Sequence, residues 1–164
     1  MYKVFIITAS DSSAAGTRAD LSGPAIREIL SAYARFALEG VSVLPDDREA
    51  LAREMARLAD EAGADLILTT GGTGFSKRDV TPEATRDVTE RCVPGIPEAM
   101  RRLSLEITPR AMLSRAEAGI RGDTLIVNLP GSPKAVRETL DYILPSVEHG
   151  LDILQGKDAN CARE

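Results

Sequence analysis

Cysteine, histidine and long apolar runs are scarce in this 164-residue chain, and each scarcity excludes something. Its two cysteines, Cys92 and Cys161, show no metal-ligand spacing. They argue against a disulfide scaffold and suit a reducing compartment. The lone histidine, His149, gives no Ser-His-Asp or Cys-His arrangement. It reads as a surface or packing residue of the last helix. A net charge of −5 disfavours a dominant basic face for nucleic acid. The first apolar run, Val4 to Ile7, is too short for a secretory h-region or a membrane span, so a cytoplasmic protein is expected. Two nucleotide fingerprints are also missing. No Gly-Lys-Ser/Thr follows the glycine turn as a Walker A loop requires, and the order GGTGFS is not GxGxxG.

What is present is ordinary for a globular chain, with 43% hydrophobic and 27% charged residues. The length suits one domain over residues 1–164 with a sizeable core. Lys3 to Ala9 is an almost unbroken apolar run, as in a strand buried on both faces. A polar loop follows from Ser10 to Gly16. Ser22-Gly23-Pro24 signals a helix expected from about Gly23 to Phe36. Val41 to Leu44 reads as a second strand. Leu51, Met55, Leu58 and Ala62 make the apolar stripe of the next helix, with Glu49/Arg53 and Arg57/Glu61 as outer pairs. Gly63 stops it.

Ala64 to Leu68 is a third strand, and a helix opens near Pro82. Glu98 to Leu105 reads as a helix. Ser114–Ile120 and Thr124–Leu129 flank Gly122-Asp123 as a hairpin. The last helix starts at Ser132-Pro133 and is expected to break near Pro145. A frayed tail is expected after Gly156. Alternating strands and helices predict an α/β fold in three layers. Its sheet is mostly parallel, with an antiparallel hairpin strand.

One stretch organises the rest: Thr69-Thr70-Gly71-Gly72-Thr73-Gly74-Phe75-Ser76-Lys77-Arg78-Asp79-Val80-Thr81-Pro82. It is a glycine-rich turn between a strand and a helix, which suits an anion. Asp79 would repel that anion unless a divalent cation were bound. Parallel strands would gather four loops at one sheet edge. These loops carry Asp11, Ser12 and Ser13; Asp46 and Asp47; the glycine turn with Asp79; and Pro130-Gly131-Ser132. Each also has a plainer explanation. The glycines could serve only a tight connection. Asp46 and Glu49 have capping-box spacing. Asp79 could favour a helix start, Asp11 could form an Asx-turn, and Ser132 could be an N-cap. Their convergence points to a nucleotide or sugar-phosphate site.

Residues Thr69 to Thr85 (TTGGTGFSKRDVTPEAT) closely resemble the signature of the MogA/MoaB molybdenum-cofactor biosynthesis family, which is similar to the G domains of plant Cnx and gephyrin. Ser10-Asp11-Ser12, Ser22-Gly23-Pro24, Pro45-Asp46-Asp47, Ile107–Arg115, Ala118–Arg121 and Leu129–Pro133 resemble family segments in family order. Ser76-Lys77 departs locally from the family's small or basic residues.

The resemblance implies a three-layer α/β fold, a homotrimer and adenylyl transfer from ATP to molybdopterin with Mg²⁺. It implies Asp46 and Asp79 as catalytic and metal-holding carboxylates. It also implies Gly71, Gly72, Thr73 and Gly74 as the phosphate turn, Asp11 and Ser12 as a nucleotide loop, and Pro130, Gly131 and Ser132 as a second cleft loop. Thr70, Ser104 and Ser114 would lie at the pterin end, and Lys77 and Arg78 beside the phosphates. The partners implied are molybdopterin, ATP and a molybdenum-insertion protein, with no nucleic acid and no membrane. Other expectations stay open: a molybdopterin-binding member without efficient transfer, a nicotinamide-nucleotide amidase relative, and a Rossmann-type redox protein.

Overall fold

The computed structural model describes residues 1–157; Cys161 and the expected tail, apart from Lys157, lie outside the described residues. Six strands form one sheet: β1 (Tyr2–Ala9), β2 (Phe36–Leu44), β3 (Leu66–Thr70), β4 (Arg91–Cys92), β5 (Ala118–Arg121) and β6 (Thr124–Leu129). Their order is β2-β1-β3-β6-β5-β4. The first four in that order run parallel, and β5 runs antiparallel to both of its neighbours, β6 and β4. The helices are α1 (Asp11–Ala14), α2 (Ser22–Leu30), α3 (Arg48–Asp60), α4 (Thr81–Val88), α5 (Gly95–Leu105) and α6 (Pro133–Leu154), with a 3₁₀ turn at Pro109–Leu113.

The layers follow from the strand period of two. Leu66 and Leu68 face α2, α5 and α6, and pack with Ile26, Met100, Val136, Leu140 and Leu144. Ile67 points the other way and packs with Leu51, Met55, Leu58 and Ala84 of α3 and α4. Both faces of β3 and β6 are therefore covered, and all their residues are buried. The expected three-layer α/β fold with its antiparallel hairpin strand is the one observed.

Several boundaries differ, each for a local reason. Helix α2 stops at Leu30, not near Phe36. Tyr33 leaves the helix yet still packs on the core, which is why its spacing looked helical. Phe36 instead opens β2, paired with Tyr2. The expected strand at Val41–Leu44 is only the second half of β2. The hairpin's first arm begins at Ala118, so Ser114 precedes the strand. Arg57 pairs with Glu54 at 2.9 Å.

Helix α6 runs unbroken through Pro145. A proline there cannot donate to the carbonyl of Asp141, one turn back. The Tyr33 hydroxyl donates to that carbonyl at 3.3 Å and to the Asp141 carboxylate at 2.7 Å. The carbonyl that Pro145 leaves bare thus meets a donor from outside the helix. No helix among the described residues is long and apolar enough to cross a membrane.

Candidate functional site

Strands β1, β3 and β6 lie in register at their carboxyl ends, with Thr8 beside Thr70 and Thr70 beside Leu129. The loops leaving them, and the loop after β2, therefore meet at one edge, where ligands of such sheets bind. Hydroxyls tie this edge together. Thr70 donates to the Pro130 carbonyl and Ser22 to the Gly131 carbonyl, each at 2.7 Å.

The glycines of the turn are fixed by close neighbours. Gly71 has φ +92°, and a Cβ there would lie 2.2 Å from the Ala9 carbonyl oxygen. At Gly72, with φ +65°, a Cβ would lie 2.3 Å from Thr81 Oγ1 and 3.2 Å from Asp46 Oδ1. At Gly74 it would lie 2.9 Å from Asp79 Oδ2. Three glycines thus let the backbone pass between β1, Thr81 and the two carboxylates. Among the described residues, the N–H groups of Gly72, Thr73 and Gly74 meet no acceptor.

Asp46 does not cap α3. The cap is Asp47, whose backbone is extended and whose side chain accepts from Ala50 N at 2.8 Å. That settles the capping-box alternative against Asp46. Its carboxylate accepts from Asp11 N at 2.9 Å instead, and Asp11 accepts from Asp46 N at 3.0 Å. Partial burial pushes the Asp46 carboxyl up, and the charges of Asp11 and Asp79 add to that. The Asp11 N–H and Arg78 oppose it. Asp11 is no Asx-turn residue. It stands in the first turn of α1 and takes Arg78 in a two-pronged ion pair, Nε to Oδ2 at 2.9 Å and Nη2 to Oδ1 at 2.8 Å. That pair holds the Asp11 carboxyl below its ordinary range. Asp79 Oδ2 accepts from Ser76 N at 2.9 Å, so its carboxylate folds back on its own loop. The hydroxyl of Thr81 is fully buried with no partner among the described residues.

Two cavities flank the turn. One, of about 190 Å³, is polar and lined by Thr8, Ser10, Ser13, Arg18, Asp20, Ser22, Thr70 and Gly71 among others. Arg18 has no ion pair among the described residues. Ser12 turns its hydroxyl toward Ser10 at 3.2 Å, leaving Ser10 and Ser13 on the wall. The other cavity, of about 300 Å³, is walled mainly by Thr73, Met100, Arg101, Ser104, Ser114 and Pro130–Ser132. Gly131 borders both. Ser104 and Ser114 thus meet, whereas Thr70 lies on the first cavity. Ser132 caps α6 through Ala135 N.

A cation site can be judged on the donors alone. No group of three or more His, Cys, Asp or Glu that could hold a metal occurs among the described residues. Asp46 Oδ2 and Asp79 Oδ2 are engaged by backbone N–H groups, leaving one oxygen on each carboxylate. Two carboxylate oxygens fit Mg²⁺, which keeps waters and takes phosphate oxygens rather than a full protein cage. The residues therefore fit the ion the resemblance implies.

Residues 5–149 match the family model described as "probable molybdopterin binding domain". The chain belongs to this family. A Helicobacter pylori (strain J99) protein named molybdopterin adenylyltransferase is 43% identical over 152 residues, 92% of this chain and 86% of that one. A Dictyostelium discoideum gephyrin is 43% identical over 163 residues, 94% of this chain but 23% of its own length. The Thermus thermophilus structure titled molybdopterin biosynthesis enzyme MoaB superposes with a TM-score of 0.90 at 47% identity, over 98% of this chain and all of its own.

Within the family stretch, sequence reasoning passed over Arg18, Asp20, Thr81 and Arg115. Ser22 read only as a helix start, yet its hydroxyl also holds the loop after β6. Arg115 ended the ITPRAMLSR segment without a role. It contacts the Asp79 loop through backbone carbonyls, which leave no mark in sequence.

Proposed function

We propose that this chain is a molybdopterin adenylyltransferase acting with ATP and Mg²⁺. One observation carries the reading: the glycine turn stands between two cavities of different character, with Asp46 and Asp79 against its backbone. The polar cavity suits ATP, with the unpaired Arg18 as a cation for its phosphates. The larger cavity, with Ser104, Ser114 and the apolar Met100, suits molybdopterin. Gly131, shared by both cavities, supports a reading in which the two reacting phosphates would lie side by side at the turn.

In the reaction, an oxygen of the molybdopterin terminal phosphate forms a bond to the α-phosphorus of ATP. The bond from that phosphorus to the β-phosphate bridging oxygen breaks, and pyrophosphate leaves with its electron pair. The nucleophile is already anionic, so no general base is required. The donors of the turn and Arg18 bind and orient the phosphates. Asp46 and Asp79 would hold the cation, which supplies charge neutralisation between the phosphates. Arg78 is tied to Asp11, so its part is to brace that carboxylate.

The protein is further taken to be a cytoplasmic homotrimer. Between Val93 and Ile107, a stretch with few polar residues, Pro97 and Met100 are buried in the chain itself. Leu105 and Ile107 stay exposed beside Met112 and Leu113, and an interface would cover them. Monomer mass alone in light scattering would reject the trimer.

The decisive test is release of pyrophosphate from ATP on adding molybdopterin, with adenylylated molybdopterin identified by mass. Molybdopterin binding without any pyrophosphate would leave a binding member of the family instead.

A further inference from the structure

Arg115 takes no part in that scheme, yet its bonds converge on the loop that carries Asp79. Its main-chain N–H donates to the Thr73 carbonyl at 2.9 Å. Its guanidinium donates from Nε to the Gly74 carbonyl at 2.7 Å and from Nη2 to the Asp79 carbonyl at 2.6 Å. Nη1 meets the Glu83 carboxylate in the first turn of α4. One side chain therefore holds the entry to the loop at Gly74, its exit at Asp79 and the helix that follows. At 31% and 26% side-chain exposure, Arg115 and Glu83 form a partly screened pair with the fork geometry only arginine offers. The flanking carbonyls of Ser114 and Ala116 accept from Arg101 at 3.4 and 3.1 Å, which anchors the segment from its other side.

We propose that Arg115 is a positioning residue for Asp79. By holding the two carbonyls, it sets where the Asp79 carboxylate stands relative to Asp46 across the glycine turn. This rests on the reading of those two carboxylates as the cation site. Residues that orient ligating groups typically change metal affinity by 10–100-fold when removed. A lysine keeps the charge but cannot span two carbonyls and a carboxylate at once.

Mn²⁺, used as the spectroscopic stand-in for Mg²⁺, tests this without turnover. Its affinity is measured by electron paramagnetic resonance titration of the full chain. The variants are Arg115→Lys, Arg115→Ala with and without methylguanidinium, Glu83→Gln and Asp79→Asn. Expected are a loss of at least about tenfold in Arg115→Lys, recovery in Arg115→Ala on adding methylguanidinium, and wild-type affinity in Glu83→Gln. Glu83→Gln keeps both carbonyl bonds, so affinity lost equally there would trace the effect to the ion pair and overturn the proposal. Wild-type affinity in Arg115→Lys would overturn it too, as would loss of fold in both Arg115 variants. Asp79→Asn separates the two levels. If it binds Mn²⁺ as tightly as wild type, the cation site itself fails and takes the inference with it. If it alone abolishes binding, only the role of Arg115 fails.

Discussion

Asp11 and Asp46 hold each other by reciprocal bonds, each carboxylate accepting the other's main-chain N–H, at 2.9 and 3.0 Å. The bonds join the loops after β1 and β2. They bring two carboxylates together, a repulsion that a nearby positive charge offsets. Arg78 supplies it on the Asp11 side. On the Asp46 side the neighbour is Asp79, another negative charge. Asp46 is therefore the less compensated member of the pair.

That asymmetry predicts a pH profile. Burial first, then Asp11 and Asp79, push the Asp46 carboxyl above its ordinary range. As pH falls, Asp46 therefore takes up its proton earlier than an exposed aspartate would. Cation binding and transfer should fail on the acid side at a correspondingly higher pH. Asp11→Asn removes one neighbouring charge and frees Arg78, so the acid limb of kcat/KM should move to lower pH. A limb that stays in place would show that Asp46 does not govern it.

Gly72→Ala should cost stability as well as binding. A Cβ would stand 2.3 Å from Thr81 Oγ1 at a φ of +65°. Such a change costs on the order of 1 kcal/mol or more. Thr81→Ala in the same chain removes the atom that is struck and should recover part of the loss, leaving the strained φ. Thermal unfolding of the single and double variants reads both effects. Equal melting temperatures for Gly72→Ala and wild type would mean that the turn relaxes freely.

The four parallel strands were legible because β1, β3 and β6 are covered on both faces and so read as apolar runs. The first half of β2 was not. It lies at the sheet edge and carries the exposed Glu39, so its pattern is mixed. The capping-box spacing with Glu49 pointed to Asp46, whereas the extended backbone of Asp47 makes that residue the cap, which spacing does not show. The cluster at one edge was legible from glycines and carboxylates in loops after strands. Its bracing was not: Arg115 grips carbonyls 36 and 41 residues away, and any residue type offers a carbonyl.

The two cavities should respond to separate changes. Arg18→Ala removes the unpaired cation of the polar cavity and should raise KM for ATP, leaving molybdopterin affinity alone. Ser104→Phe puts bulk into the cavity that Ser104 and Ser114 line and should weaken molybdopterin, leaving ATP alone. Calorimetric titration of each variant with each ligand checks the cross. If Arg18→Ala weakened molybdopterin instead, the assignment of the cavities would be reversed.

Asp46 and Asp47, adjacent in sequence, should behave as opposites. Asp47 caps α3 through Ala50 N, so Asp47→Ala should lose about 0.5–2 kcal/mol and keep its turnover. Asp46 is the reverse case. Its carboxyl is pushed up in the fold, so above that raised range the folded state holds a charge the unfolded chain holds more easily. The cost is present at neutral pH and vanishes below the ordinary carboxyl range. Asp46→Asn removes it and still offers an oxygen to Asp11 N, so the variant without ligands should melt no lower than wild type at pH 7. Adenylyl transfer should nevertheless collapse, because the cation loses a full negative charge. Asp79→Asn should fail alike, and the double variant should be little worse than either, as for residues that act as one unit. Near-normal turnover by Asp46→Asn at saturating Mg²⁺ and ATP would return that residue to a bracing role beside Asp11.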